Sequence, residues 1–122
     1  MMINNSLLQT ETVWKIDRLK VNALIQIHFG ENVSPTEINT VMNEVESNAS
    51  WVRKLDPVRQ TVLIDLAIHH GFDLFLNIEI VEAFRNHKFE DLAACILYES
   101  SSDRAYRLAE MALTGAYCLE IR

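Results

Sequence analysis

Asp56-Pro57-Val58-Arg59-Gln60-Thr61-Val62-Leu63-Ile64-Asp65-Leu66-Ala67-Ile68-His69-His70-Gly71 carries a start and a stop signal for one helix. Asp56 offers a side-chain oxygen to the N–H groups that a first turn leaves unsatisfied, and Pro57 takes the first helical position, where its missing N–H costs nothing. Gly71 supplies the positive φ that many helices adopt just past their last turn. Between them, Val58, Val62, Leu63, Ile64, Leu66, Ala67 and Ile68 place apolar side chains nearly all round the helix. A helix apolar on every side belongs at the centre of a helical protein. The stretch therefore predicts an all-α fold built round a buried central helix.

The flanking sequence continues the pattern. Upstream, Val13, Ile16, Leu19, Leu24 and Ile27 recur at three- to five-residue steps and predict an amphipathic helix from about Leu7 to Phe29, closed by Gly30. Ser34-Pro35-Thr36-Glu37 is a capping box with proline in the first turn, followed by the stripe Ile38, Val41, Met42, Val45 and Ala49. Downstream, Leu74, Phe75, Ile78, Val81 and Phe84 predict a helix over 73–86. An alanine-rich helix follows over 89–99. Ser100-Ser101-Ser102 breaks it, Ser102 or Asp103 caps the next helix, and Gly115 ends that one. The expectation is about six helices, no strand, and a single domain over residues 1–122, with no repeat or linker to divide it.

Composition narrows the functional classes. A hydrophobic content of 49% lies in the globular range, and no window holds the ~18–20 apolar residues of a membrane helix. The formal net charge is −6 and the basic residues are scattered, which speaks against nucleic acid or another polyanion as partner. Cys95 and Cys118 fit neither a disulfide framework nor a metal site. Cys95 reads as a small buried hydrophobe and Cys118 as a free thiol, as expected in a reducing compartment. Met1 to Thr10 lack the charged and apolar regions of a signal peptide, so a cytoplasmic location is expected.

From Asp56 onward the sequence resembles the phage-type (T-even) lysozyme family. Asp56-Pro57-Val58-Arg59, Leu63-Ile64-Asp65 and Gly71 are similar to that family's central helix, which begins Asp-x-Val-Arg and closes on glycine. Phe89-Glu90-Asp91-Leu92-Ala93-Ala94 is similar to its aromatic–acidic–Ala-Ala helix start, and Arg104-Ala105 with Thr114-Gly115 to its Arg-Ala helix with a Thr-Gly end. Residues 33–52 resemble its long connecting helix. The resemblance implies the helical lobe of that fold.

The front of the chain departs from it. The family carries a glutamate on its first helix, then a β-lobe whose Asp-x-x-Gly-x-x-Thr-x-Gly-x-Gly-His stretch supplies a second carboxylate and a threonine. Here Gly30 is the only glycine before the connecting helix, and residues 20–33 are too few for a β-meander. A glycosidase needs two carboxyl groups facing across a cleft, ~5–10 Å apart.

Glu11 stands where the family has its catalytic glutamate, although Thr12 replaces the glycine that follows. The resemblance implies an ion pair between Glu11 and Arg104. Asp17 is the nearest second acid, but six residues along one helix put it ~9 Å away on another face. His28, His69, His70 and His87 suggest a metal. His69 and His70 point ~100° apart on a helix, while Asp65 and His69, four apart, suit a hydrogen bond; no metal or cofactor is expected. His87 reads as a solvated loop residue. Ser100, Ser101 and Ser102 lack the glycine-flanked elbow of a nucleophile.

Loss of a lobe uncovers apolar surface that another contact must cover. Val13, Trp14, Ile27 and Trp51 are the candidate partner-binding residues, with core packing as the alternative role of the tryptophans. The expected function is a catalytically inactive lysozyme-like protein of phage or prophage origin. It would bind a protein partner or itself in the bacterial cytosol as a regulatory module, without nucleic acid or membrane. The alternative is a divergent muramidase that uses Glu11 on peptidoglycan.

Overall fold

The structure, a computed structural model, describes residues 13–29 and 33–117. Among them are six α-helices and no strand: α1 (Arg18–Phe29), α2 (Pro35–Asn48), α3 (Pro57–His70), α4 (Ile78–Arg85), α5 (Phe89–Glu99) and α6 (Asp103–Thr114). Short 3-10 turns, Ser50–Lys54 and Gly71–Leu76, lead into and out of α3. No helix is long and apolar enough to cross a membrane among these residues.

Helix α3 is the centre. Val58 and every residue from Gln60 to Ala67 are buried, and α2, α6 and the Gly71–Leu76 turn pack on it. Helices α5 and α6 form a closely packed hairpin beside it, and α4 packs on α5. The caps fall where the sequence puts them. Ser34 Oγ accepts the Glu37 N–H at 3.0 Å, Asp56 accepts that of Arg59 at 3.2 Å, and Ser102 that of Ala105 at 3.1 Å.

Two helix boundaries differ from expectation. Residues 13–17 are irregular, and α1 starts at Arg18 because Asp17 acts as its cap: the carboxylate accepts the Leu19 N–H and the backbone carbonyl that of Val21, both at 2.9 Å. The predicted stretch from Leu7 up to residue 12 lies outside the described residues. The predicted helix over 73–86 is instead a 3-10 turn followed by α4, because Asn77 accepts the Ile80 N–H and restarts the helix. Leu19, expected in the inward stripe of α1, is 79% exposed.

Arg59 ties the start of α3 to the end of α6. Its Nε and Nη2 donate to the carbonyls of Ala112 (2.8 Å) and Leu113 (3.1 Å), and its guanidinium lies 3.8 Å from the centre of the Phe89 ring. These are carbonyls at the end of α6, where a cation is also favoured by the helix dipole. Gly115 closes α6 at φ 74°, ψ 20°, and a Cβ there would come within 2.6 Å of Arg59 Nη1. Gly115→Ala is therefore expected to lower the melting temperature by roughly 5–10 °C, from left-handed strain plus displacement of the guanidinium. A thermal melt within a degree or so of wild type would show that neither effect operates.

Candidate functional site

An apolar central helix makes each polar residue on it conspicuous. Gln60, Thr61 and Asp65 are buried, and each fastens a separate part of the chain. Gln60 Nε2 donates to the carbonyls of Val13 and Val52, both at 2.9 Å, while its Oε1 accepts the Lys15 N–H at 2.8 Å. The irregular segment 13–17 is thereby fixed to α3 and to the turn before it. Thr61 Oγ1 donates to the Pro57 carbonyl at 2.9 Å and lies 3.2 Å from the Tyr117 hydroxyl.

Asp65 meets Arg104. Nη2 of Arg104 donates to Asp65 Oδ1 at 2.7 Å, with the aspartate side chain wholly buried and that of Arg104 17% exposed. Burial pushes the Asp65 carboxyl up to about 6, against the pull of Arg104 in the opposite direction. The desolvation penalty thus outweighs the attraction of the pair.

Arg104 also lines a pocket of about 140 Å³. Its apolar wall is Leu66, Ile80, Ile96, Ala105 and Leu108; its polar wall is His69, His70, Glu99, Ser100 and Arg104. Three helix ends converge there: the last turns of α3 and α5, and the first turn of α6. His69 and His70 stack edge to face with ring centres 4.9 Å apart. Burial first, and then the charges of Arg104 and His70, hold the His69 imidazole below its usual range, so the neutral ring is favoured.

Of the residues singled out from sequence, Arg104, His69, His70 and Ser100 line the pocket, whereas Glu11 and Thr12 lie outside the described residues. Arg104 pairs with Asp65, a partner that the resemblance does not imply. Asp17 is occupied as the cap of α1. Asp65 is turned to Arg104 rather than shared with His69 around an ion, and no group of three potential metal ligands gathers among the described residues. His87 is exposed, adopts a left-handed φ of 58°, and sets its ring 5.4 Å from that of Phe89. The side chain of His28 and all of Cys118 lie outside the described residues.

The partner-binding set divides. Trp14 is only 4% exposed, belongs to the core, and donates Nε1–H to Glu46 Oε1 at 3.1 Å, so it offers no surface to a partner. Trp51 is half-buried and stacks on Phe84 at 6.1 Å between ring centres; Val13 is half-buried against the core. Ile27 alone of the four is largely accessible, at 41%. Cys95 is half-buried rather than enclosed. Burial raises its thiol pKa, and the carboxylates of Glu79, Asp91 and Glu99 raise it further, which leaves little thiolate for nucleophilic chemistry.

Sequence reading did not single out Gln60. Its signal was there, as an amide inside an otherwise apolar helix, a position tolerated only when every polar atom finds a partner. No protein-family model, curated protein or solved structure matches this chain.

Proposed function

We propose that the chain is a lysozyme-like helical module of phage or prophage origin, without glycosidase chemistry, that acts by binding a protein in the bacterial cytosol. The use to which two carboxylates are put is what favours this reading. Asp65 is locked on Arg104 inside the protein, and Asp17 is engaged as a helix cap. Neither carboxylate is held as an acid or base facing a polysaccharide across a cleft. The negative net charge favours a protein over an anionic polymer. Leu76 and Ile78, both strongly exposed on either side of Asn77, give such a partner an apolar contact.

A turbidity assay on purified cell walls tests the proposal. Neither wild type nor Glu11→Gln is expected to clear the suspension. Clearance by wild type that Glu11→Gln abolishes would instead establish a divergent muramidase. On the binding side, a partner retained by wild type is expected to be lost when Leu76 and Ile78 are both replaced by aspartate. Retention by that variant would overturn the assigned contact.

A further inference from the structure

The pocket beside Arg104 has a composition that neither core packing nor the proposed protein contact accounts for. One wall is formed by side chains of the main core, and the other by groups of both charge signs. A volume of about 140 Å³ is close to that of an apolar cavity known to hold a benzene ring, so it takes a short branched aliphatic group with the polar ends left at the rim. We propose that this pocket binds a free aliphatic α-amino acid such as leucine, with the carboxylate toward Arg104, the ammonium toward Glu99, and the side chain against Leu66, Ile96 and Leu108.

The charges fit a zwitterion better than either ion alone. Glu99 opposes a bare carboxylate at the rim, and Arg104 opposes a bare ammonium. The helix ends reinforce the same polarity. Arg104 is in the first turn of the twelve-residue α6, where backbone N–H groups favour an anion. Glu99 ends α5, where carbonyl groups favour a cation. Asp65, holding Nη2 from behind, fixes the guanidinium at the pocket wall, and that planar group matches a carboxylate. Ser100 also lines the pocket, its hydroxyl donating to Ser102 Oγ at 3.1 Å. The inference does not depend on how the chain relates to lysozymes, and its test involves no cell wall.

The experiment is an amide-shift NMR titration of the purified protein with leucine, 4-methylpentanoate and 3-methylbutylamine, which share the side chain but differ in charge. Leucine is expected to bind in roughly the millimolar range or tighter and to shift the amides of Leu66, Ala105 and Leu108. Each singly charged analogue is expected to bind about tenfold more weakly or worse, having lost one ionic contact. Glu99→Lys, at an exposed position where folding is not at stake, is expected to reverse the order so that 4-methylpentanoate binds better than leucine. Shifts absent at about 10 mM leucine, shifts centred outside the pocket, or equal binding of the three compounds would each overturn the assignment.

Discussion

Gln60→Leu is expected to lower the unfolding free energy by about 3–4 kcal/mol. Leucine fills similar space but makes no hydrogen bond. The carbonyls of Val13 and Val52 and the N–H of Lys15 would lose their partner together. Each such group costs about 1–3 kcal/mol when it stays buried and unsatisfied, and solvent reaching the partly exposed 13–17 segment offsets part of that sum. Loss of the tether also predicts where the damage appears. Trp14, which the segment holds in the core, becomes hydrated, so its fluorescence shifts to the red before global unfolding in urea. A urea midpoint within about 1 kcal/mol of wild type, with unchanged emission, would mean that the segment is held by apolar packing alone.

Asp65→Asn is expected to stabilise the protein at about pH 8 by on the order of 2–3 kcal/mol, although it removes one side of a buried ion pair. The sign follows from linkage. The folded-state pKa, about 6, lies above the ordinary aspartate value of 3.8. The favourable contribution of the protonated carboxyl is therefore fully present below about pH 3.8 and is lost as pH rises through about 6. Asparagine keeps an oxygen for the Arg104 Nη2 hydrogen and is neutral at every pH. The two proteins should match near about pH 4 and diverge steadily up to about pH 7. Chemical denaturation across that interval measures the difference. Wild type more stable than Asp65→Asn at about pH 8 would show that the attraction of Arg104 exceeds the cost of burying the carboxylate.

These two residues mark how far the sequence was readable. The stretch 56–71 was legible because cap, proline, apolar run and glycine are all local signals, each acting within one or two turns. The same holds for Ser34-Pro35 and for Ser102 and Gly115, whose capping bonds span only three or four residues. Asp17 and Asn77 use the same capping chemistry, yet the apolar stripes running through them masked it, and both predicted helices came out too long. Periodicity reports which side of a helix is apolar and not where the hydrogen-bonded ladder starts.

Most of the site was out of reach for a different reason. The bond between Asp65 and Arg104 joins residues 39 apart, and that between Gln60 and Val13 joins residues 47 apart. No spacing rule couples such positions, because the packing of separate helices sets their distance. Arg104 was reached only through a resemblance, which assigned it a different partner. Trp14 shows the converse: of its two readings, partner contact and core packing, the fold decides for the core, next to a segment that Gln60 tethers from 47 residues away.

By itself, then, the sequence determined the all-helical class, the central helix and most of its boundaries, since those follow from backbone capping and the hydrophobic period. Only the tertiary structure decided which buried polar groups meet, that Asp65 faces Arg104, and that three helix ends converge on one pocket. The physical reason is range. Helix signals act over a few residues of chain, whereas burial and charge pairing depend on distance through space, which the fold alone sets.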